Sequence, residues 1–147
     1  MERGPLRVLF LCTANSCRSQ MAEGWARHLR AGEIEASSAG TAPTRVHPLA
    51  VQVMAEAGVD ISGQRAKHVG EFAGQEFDVV VTLCDQARES CPFFPAGRTV
   101  HRGFEDPAAA TGSEEEVLAV FRRVRDQIKA FVQGMPDNLL ENQTQEE

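Results

Sequence analysis

Several things are scarce in this 147-residue chain. It has no tyrosine and a single tryptophan, and its lysines and arginines gather into no stripe. That removes the basic, aromatic-studded surface by which proteins grip nucleic acid. No apolar run approaches the ~20 residues a membrane-spanning helix needs. The first apolar run is also too short for a secretory leader, so a cytoplasmic protein is expected. Cysteine is sparse too, and four of them in such a chain make no disulfide framework. They fall as Cys12 with Cys17 and Cys84 with Cys91. Neither pair has the short knuckle spacing of a zinc ribbon, and the four histidines show no metal spacing. No metal site is expected.

What is present fits one ordinary globular domain with a real core. The net charge is −6. Residues 135–147 hold Asp137, Glu141, Glu146 and Glu147 and no Lys or Arg. The expectation is a single domain over 1–134, monomeric, followed by an acidic, disordered tail over 135–147.

Hydrophobic periodicity sets the order of elements. Leu6 to Leu11 reads as a buried strand, and Met21, Ala22, Trp25, Ala26 and Leu29 fall on one helical face. A second strand runs from Ile34 to Ala39. Pro48 suits a first helical turn, and Leu49, Val53, Met54 and Ala57 share the face behind it. Phe77 to Leu83 is a β-branched run suited to a buried parallel strand. A loop-like segment, 85–97, leads to a short strand over Arg98–His101. Ser113 and Glu116 form a capping box before a long amphipathic helix that ends near Gly134. The sum is an α/β domain with a small, mostly parallel sheet covered on both faces. Ligands of such sheets bind outside the carboxyl ends of the strands, and Cys12 and Cys84 both stand there.

The densest chemistry is Cys12-Thr13-Ala14-Asn15-Ser16-Cys17-Arg18-Ser19. A cysteine ends a strand, a short loop follows, and an arginine opens a helix. The first turn of a helix leaves N–H groups unpaired, and a loop wrapped over that end makes a nest for a tetrahedral oxyanion. Arg18 adds a planar cationic fork. A positive helix end also favours the thiolate form of a cysteine, which is the nucleophilic form. C-x5-R alone is a weak pattern; the strand before it, the helix after it and the adjoining Ser19 make it strong.

The segment from Val8 to Gly24 resembles the phosphate-loop region of the low-molecular-weight protein tyrosine phosphatase superfamily. Ser37-Ser38-Ala39-Gly40, the strand ending at Cys84 with Cys91-Pro92 after it, and Phe104-Glu105-Asp106-Pro107 resemble its thioredoxin-coupled arsenate reductase branch. The resemblance implies a flavodoxin-like four-stranded parallel sheet with helices on both faces. It implies that Cys12 attacks arsenate, that Arg18 and the amides from Thr13 through Ala14, Asn15, Ser16 and Cys17 to Arg18 hold the oxyanion, and that Asp106 protonates the departing oxygen. It implies a relay in which Cys84 attacks the arsenylated Cys12 and Cys91 then attacks Cys84, leaving a disulfide for thioredoxin to reduce. Asn15 and Ser19 would support the loop and the Cys12 sulfur, and Cys17 would be structural. No bound cofactor is implied. Some relatives hold potassium beside the loop through residues matching Asn15, Glu23 and Ser38 plus an aspartate. Lys67 stands at the aspartate's position, so potassium is not expected here.

Two other functions use parts of the same pattern. A low-molecular-weight phosphatase needs only Cys12, Arg18 and Asp106. Such phosphatases commonly carry ring-stacking aromatics that this tyrosine-free chain lacks, although Phe93, Phe94 and Phe104 remain. A redox sensor that binds an oxyanion would leave Asp106 without a task.

Overall fold

The computed structural model describes residues 4–84 and 96–140. Four strands form one sheet: β1 (Leu6–Cys12), β2 (Ile34–Gly40), β3 (Phe77–Thr82) and β4 (Ala96–His101). Their order is β2-β1-β3-β4, and every pairing is parallel. Parallel neighbours need crossovers: α1 (Arg18–Leu29) joins β1 to β2, and α2 (Pro48–Glu56) lies between β2 and β3, while α3 (Glu114–Gln133) follows β4. Single 3-10 turns stand at Val69–Phe72 and Pro107–Ala109. None of the described helices is long and apolar enough to cross a membrane.

The core follows from the strand sequences. Successive strand residues point to opposite faces. Val8, Leu9, Phe10 and Leu11 are all fully buried, as are Val79, Val80 and Val81 within a few per cent. Both faces of the central pair are therefore covered, as an unbroken apolar run requires. Trp25 lies at 1 % exposure, and its indole N–H donates to the Arg125 carbonyl at 3.2 Å, tying α1 to α3. The long helix starts as its sequence dictates: the Ser113 hydroxyl accepts from the Glu116 N–H at 3.1 Å while Glu116 Oε1 accepts from the Ser113 N–H at 2.8 Å.

The sequence reading departs from the structure at the C-terminal stretch. Residues 137–140 form a helical turn, and Met135 and Leu139 are buried at 3 % and 0 % exposure. Apolar side chains at these two positions dock the start of the stretch expected to be a disordered tail, while residues 141–147 lie outside the described residues.

Candidate active site

β1 ends at Cys12 and α1 begins at Arg18, with Cys17 as a cap residue that gives no side-chain hydrogen bond to the first turn. The loop between them turns its carbonyls outward. Thr13 O accepts from Ala42 N at 2.8 Å, Ala14 O from Thr44 N at 3.1 Å and Ser16 O from His47 N at 3.1 Å. Asn15 O accepts from Gln20 Nε2 at 3.1 Å. A trans peptide points its N–H opposite its C=O, so these peptides aim their donors to the inner side of the turn.

The turn needs two local concessions. Asn15 takes φ of 49°, the left-handed region that asparagine tolerates better than most residues. Its side chain then locks the loop: Nδ2 donates to Ser19 Oγ at 2.8 Å and Ser38 Oγ at 3.1 Å, while Oδ1 accepts from Gln20 Nε2 and from the Lys67 backbone, each at 2.9 Å. Gly40 ends β2 against this loop. A Cβ there would meet Thr13 O at 2.5 Å and Asn15 N at 2.9 Å, so no larger residue fits without moving backbone.

Cys12 Sγ lies 2.9 Å from Ser19 Oγ. Ser19 Oγ accepts from Asn15, and its own proton remains available to a Cys12 thiolate. Arg18 is nearly buried; its Nη1 donates to the Phe104 carbonyl at 3.1 Å and its Nη2 stands 3.6 Å from Asp106 Oδ2. Its Nε is buried and has no partner among the described residues. A buried guanidinium donor left open beside a ring of inward N–H groups is an oxyanion site in waiting. Asp106 caps the 3-10 turn that Pro107 opens, with Oδ1 accepting from Ala108 N at 3.0 Å. Cys12, Arg18 and Asp106 line one cavity of about 210 Å³.

Cys84 follows β3 on the neighbouring strand, is 9 % exposed, and its sulfur is 3.4 Å from Thr13 Oγ1. It therefore touches the residue next to Cys12. Cys17 is buried; loss of solvation pushes its thiol up to about 12, outweighing the Ser16 hydroxyl contact, so it stays protonated. Cys91, Phe93 and Phe94 lie outside the described residues.

Glu23, Ser38, Asn15 and Lys67 do meet beside the loop. Ser38 Oγ donates to Glu23 Oε1 at 2.6 Å, and Glu23 Oε2 pairs with Arg27 at 2.6 Å. The Lys67 ammonium donates to the Arg65 carbonyl at 2.9 Å. Burial lowers its pKa, with the Glu23 charge opposing.

The sequence reading missed two groups. Gln64 Nε2 donates to Gln20 Oε1 at 2.7 Å and so fixes the amide that holds Asn15. His47 and Thr44 line the Cys12 cavity from the 42–47 segment. The only signal was Pro48 at a helix start, which marks the preceding residue as a cap without showing where its ring points.

The family model described as low molecular weight phosphotyrosine protein phosphatase matches residues 7–145. An arsenate reductase of Halalkalibacterium halodurans is 50 % identical over 122 residues, covering 82 % of this chain and 88 % of that protein. An arsenate reductase of Bacillus subtilis is 48 % identical over the same shares. Among solved structures, an arsenate reductase in the oxidized state superposes with a TM-score of 0.75 at 37 % identity, over 90 % of this chain and 98 % of that one. The chain belongs to the low molecular weight phosphotyrosine protein phosphatase family.

Proposed function

We propose that this enzyme reduces arsenate to arsenite. The observation that carries the reading is a cysteine, Cys12, in an oxyanion turn, with a second cysteine, Cys84, against the residue beside it. The arsenate reductases at 48–50 % identity support it.

The chemistry balances with thiols alone. The Cys12 thiolate attacks arsenic, and Asp106 gives a proton to the departing oxygen, which leaves as water. The inward amides and Arg18 hold the remaining oxygens, where charge is greatest. The Cys84 thiolate then attacks Cys12 Sγ. The sulfur–arsenic bond breaks, its electron pair stays on arsenic, and arsenite leaves behind a Cys12–Cys84 disulfide. Cys91 attacks Cys84, Cys12 departs as thiolate, and the Cys84–Cys91 disulfide takes two electrons from thioredoxin. The protein acts as a cytoplasmic monomer with no resident cofactor. Potassium has no role, because Lys67 takes the place of the expected aspartate and brings its own positive charge to bear on Glu23.

Cys12, Arg18 and Asp106 sharing one cavity would also serve phosphomonoester hydrolysis. One experiment separates the readings: arsenate-dependent NADPH oxidation coupled through thioredoxin and its reductase, beside hydrolysis of an aryl phosphate. Reduction requires that Cys84→Ser and Cys91→Ser each stop arsenate turnover while any aryl phosphate cleavage survives, and that Cys12→Ser stops both. Efficient aryl phosphate cleavage with no arsenate turnover by the wild type would replace the reductase reading with the phosphatase one.

A further inference from the structure

One side chain in the wall of the Cys12 cavity has no task in the chemistry above: His47. It is the N-cap of α2, and its Nδ1 accepts from the Leu49 backbone N–H at 3.1 Å. A ring nitrogen that accepts carries no proton, so the neutral ring is the Nε2–H tautomer. The ring packs against Phe121 of α3, with centroids 4.9 Å apart. Its backbone N–H is held by the Ser16 carbonyl of the oxyanion loop at 3.1 Å. Cap and aromatic neighbour thus fix the imidazole, while the loop holds the backbone that carries it.

The geometry points to His47 as an oxyanion-contacting residue, its Nε2–H donating to an oxygen of the tetrahedral anion held over Cys12. This rests on reading the cavity as the oxyanion site. Arg18 and the loop amides approach the anion from the α1 side, and Asp106 belongs to the chain after β4. A donor at the start of α2 closes the cavity on a third side, and it belongs to the element whose backbone supports the loop. Burial and then the Arg45 charge hold the ring below its ordinary pKa of 6.5, with Asp106 pulling the other way. It therefore stays neutral near pH 7 and presents one donor rather than a charge, which limits its effect to orientation and one hydrogen bond.

The two ring nitrogens can be tested separately. The Asn side-chain amide reproduces the Nδ1 position and is a strong N-cap; the Gln amide reproduces Nε2 and caps poorly. His47→Asn should keep the cap, lose only the Phe121 contact and so melt above His47→Gln, yet bind inorganic phosphate about tenfold more weakly by calorimetry. Its arsenate KM should rise by a similar factor while kcat stays within about twofold. His47→Gln should melt lower but bind phosphate within about twofold of wild type. His47→Asn binding phosphate as tightly as wild type would reduce His47 to a helix cap and overturn the inference. In wild type, imidazole nitrogen NMR should show Nε2 protonated and its proton resonance displaced on phosphate addition; an Nδ1–H ring, or an unmoved resonance, refutes it without any variant. Wild type that binds neither phosphate nor arsenate would remove the oxyanion reading itself, and this inference with it.

Discussion

At the scale of single residues, the site works because each polar atom is given one direction. Asn15 shows this most plainly. Its Oδ1 takes two donors and its Nδ2 gives two, so the amide cannot turn over without losing all four. That fixed amide donates to Ser19 Oγ and leaves the hydroxyl proton available to a thiolate at Cys12, 2.9 Å away. Lys67 completes the set by placing a half-buried ammonium near Glu23, whose carboxylate already meets Arg27 and Ser38. A metal cation there would meet like charge and a carboxylate already satisfied. Replacing sodium chloride with potassium chloride at constant ionic strength should change kcat/KM for arsenate by less than about twofold. A rise of tenfold would mean that Lys67 swings away and frees the carboxylate.

At the scale of elements, the sequence was legible wherever a local rule acts. The capping box at Ser113, the proline opening α2 and the β-branched run of β3 each fold as their composition dictates. It was not legible where partners are distant in the chain. Glu56, the last residue of α2, meets Arg122 and Arg125 of α3 through bonds of 2.8 to 3.3 Å, and no periodicity announces a pair 66 residues apart. The Arg122 hydrogen bond, joined by the charges of Arg122 and Arg125, holds the Glu56 carboxyl below its ordinary value of 4.5, outweighing the desolvation that pushes it up. A carboxylate held low stabilises the fold above its unfolded-state pKa and loses that contribution as pH falls through the folded one. The pair is solvent-exposed, so its effect at neutral pH is small and salt-sensitive. Melting temperatures of wild type and Glu56→Gln should differ near pH 7 and converge below about pH 4. A gap that stays constant to pH 3 would show that the ion pair contributes nothing that titrates.

At the scale of the whole molecule, the sheet order brings Cys12 and Cys84 to the same edge because β1 and β3 are neighbours, although 72 positions separate the cysteines. The strand runs and the loop motif were enough to place both at carboxyl ends. The adjacency itself, and the anchoring of the loop by the 42–47 segment, came only with the pairing of distant backbone. This architecture ties ligand binding to global stability. The oxyanion turn is hydrogen-bonded to the segment before α2, to the Gln20 amide that Gln64 holds in place, and to Ser38 of β2, so it persists only while the domain is folded. An anion that binds the folded turn and not the unfolded chain therefore stabilises the domain by mass action, about 2.7 kcal/mol at a hundredfold excess over Kd. For a domain of this size that corresponds to a rise in Tm of roughly 5–10 °C. Phosphate and arsenate, added to protein whose thiols are kept from turning over by Cys84→Ser, should each give that rise, while chloride at equal ionic strength should not. Arg18→Ala should abolish it, since the open Nε and its fork are the fixed charge at the centre of the turn. A phosphate-dependent rise that survives Arg18→Ala would put the stabilising anion somewhere other than over Cys12.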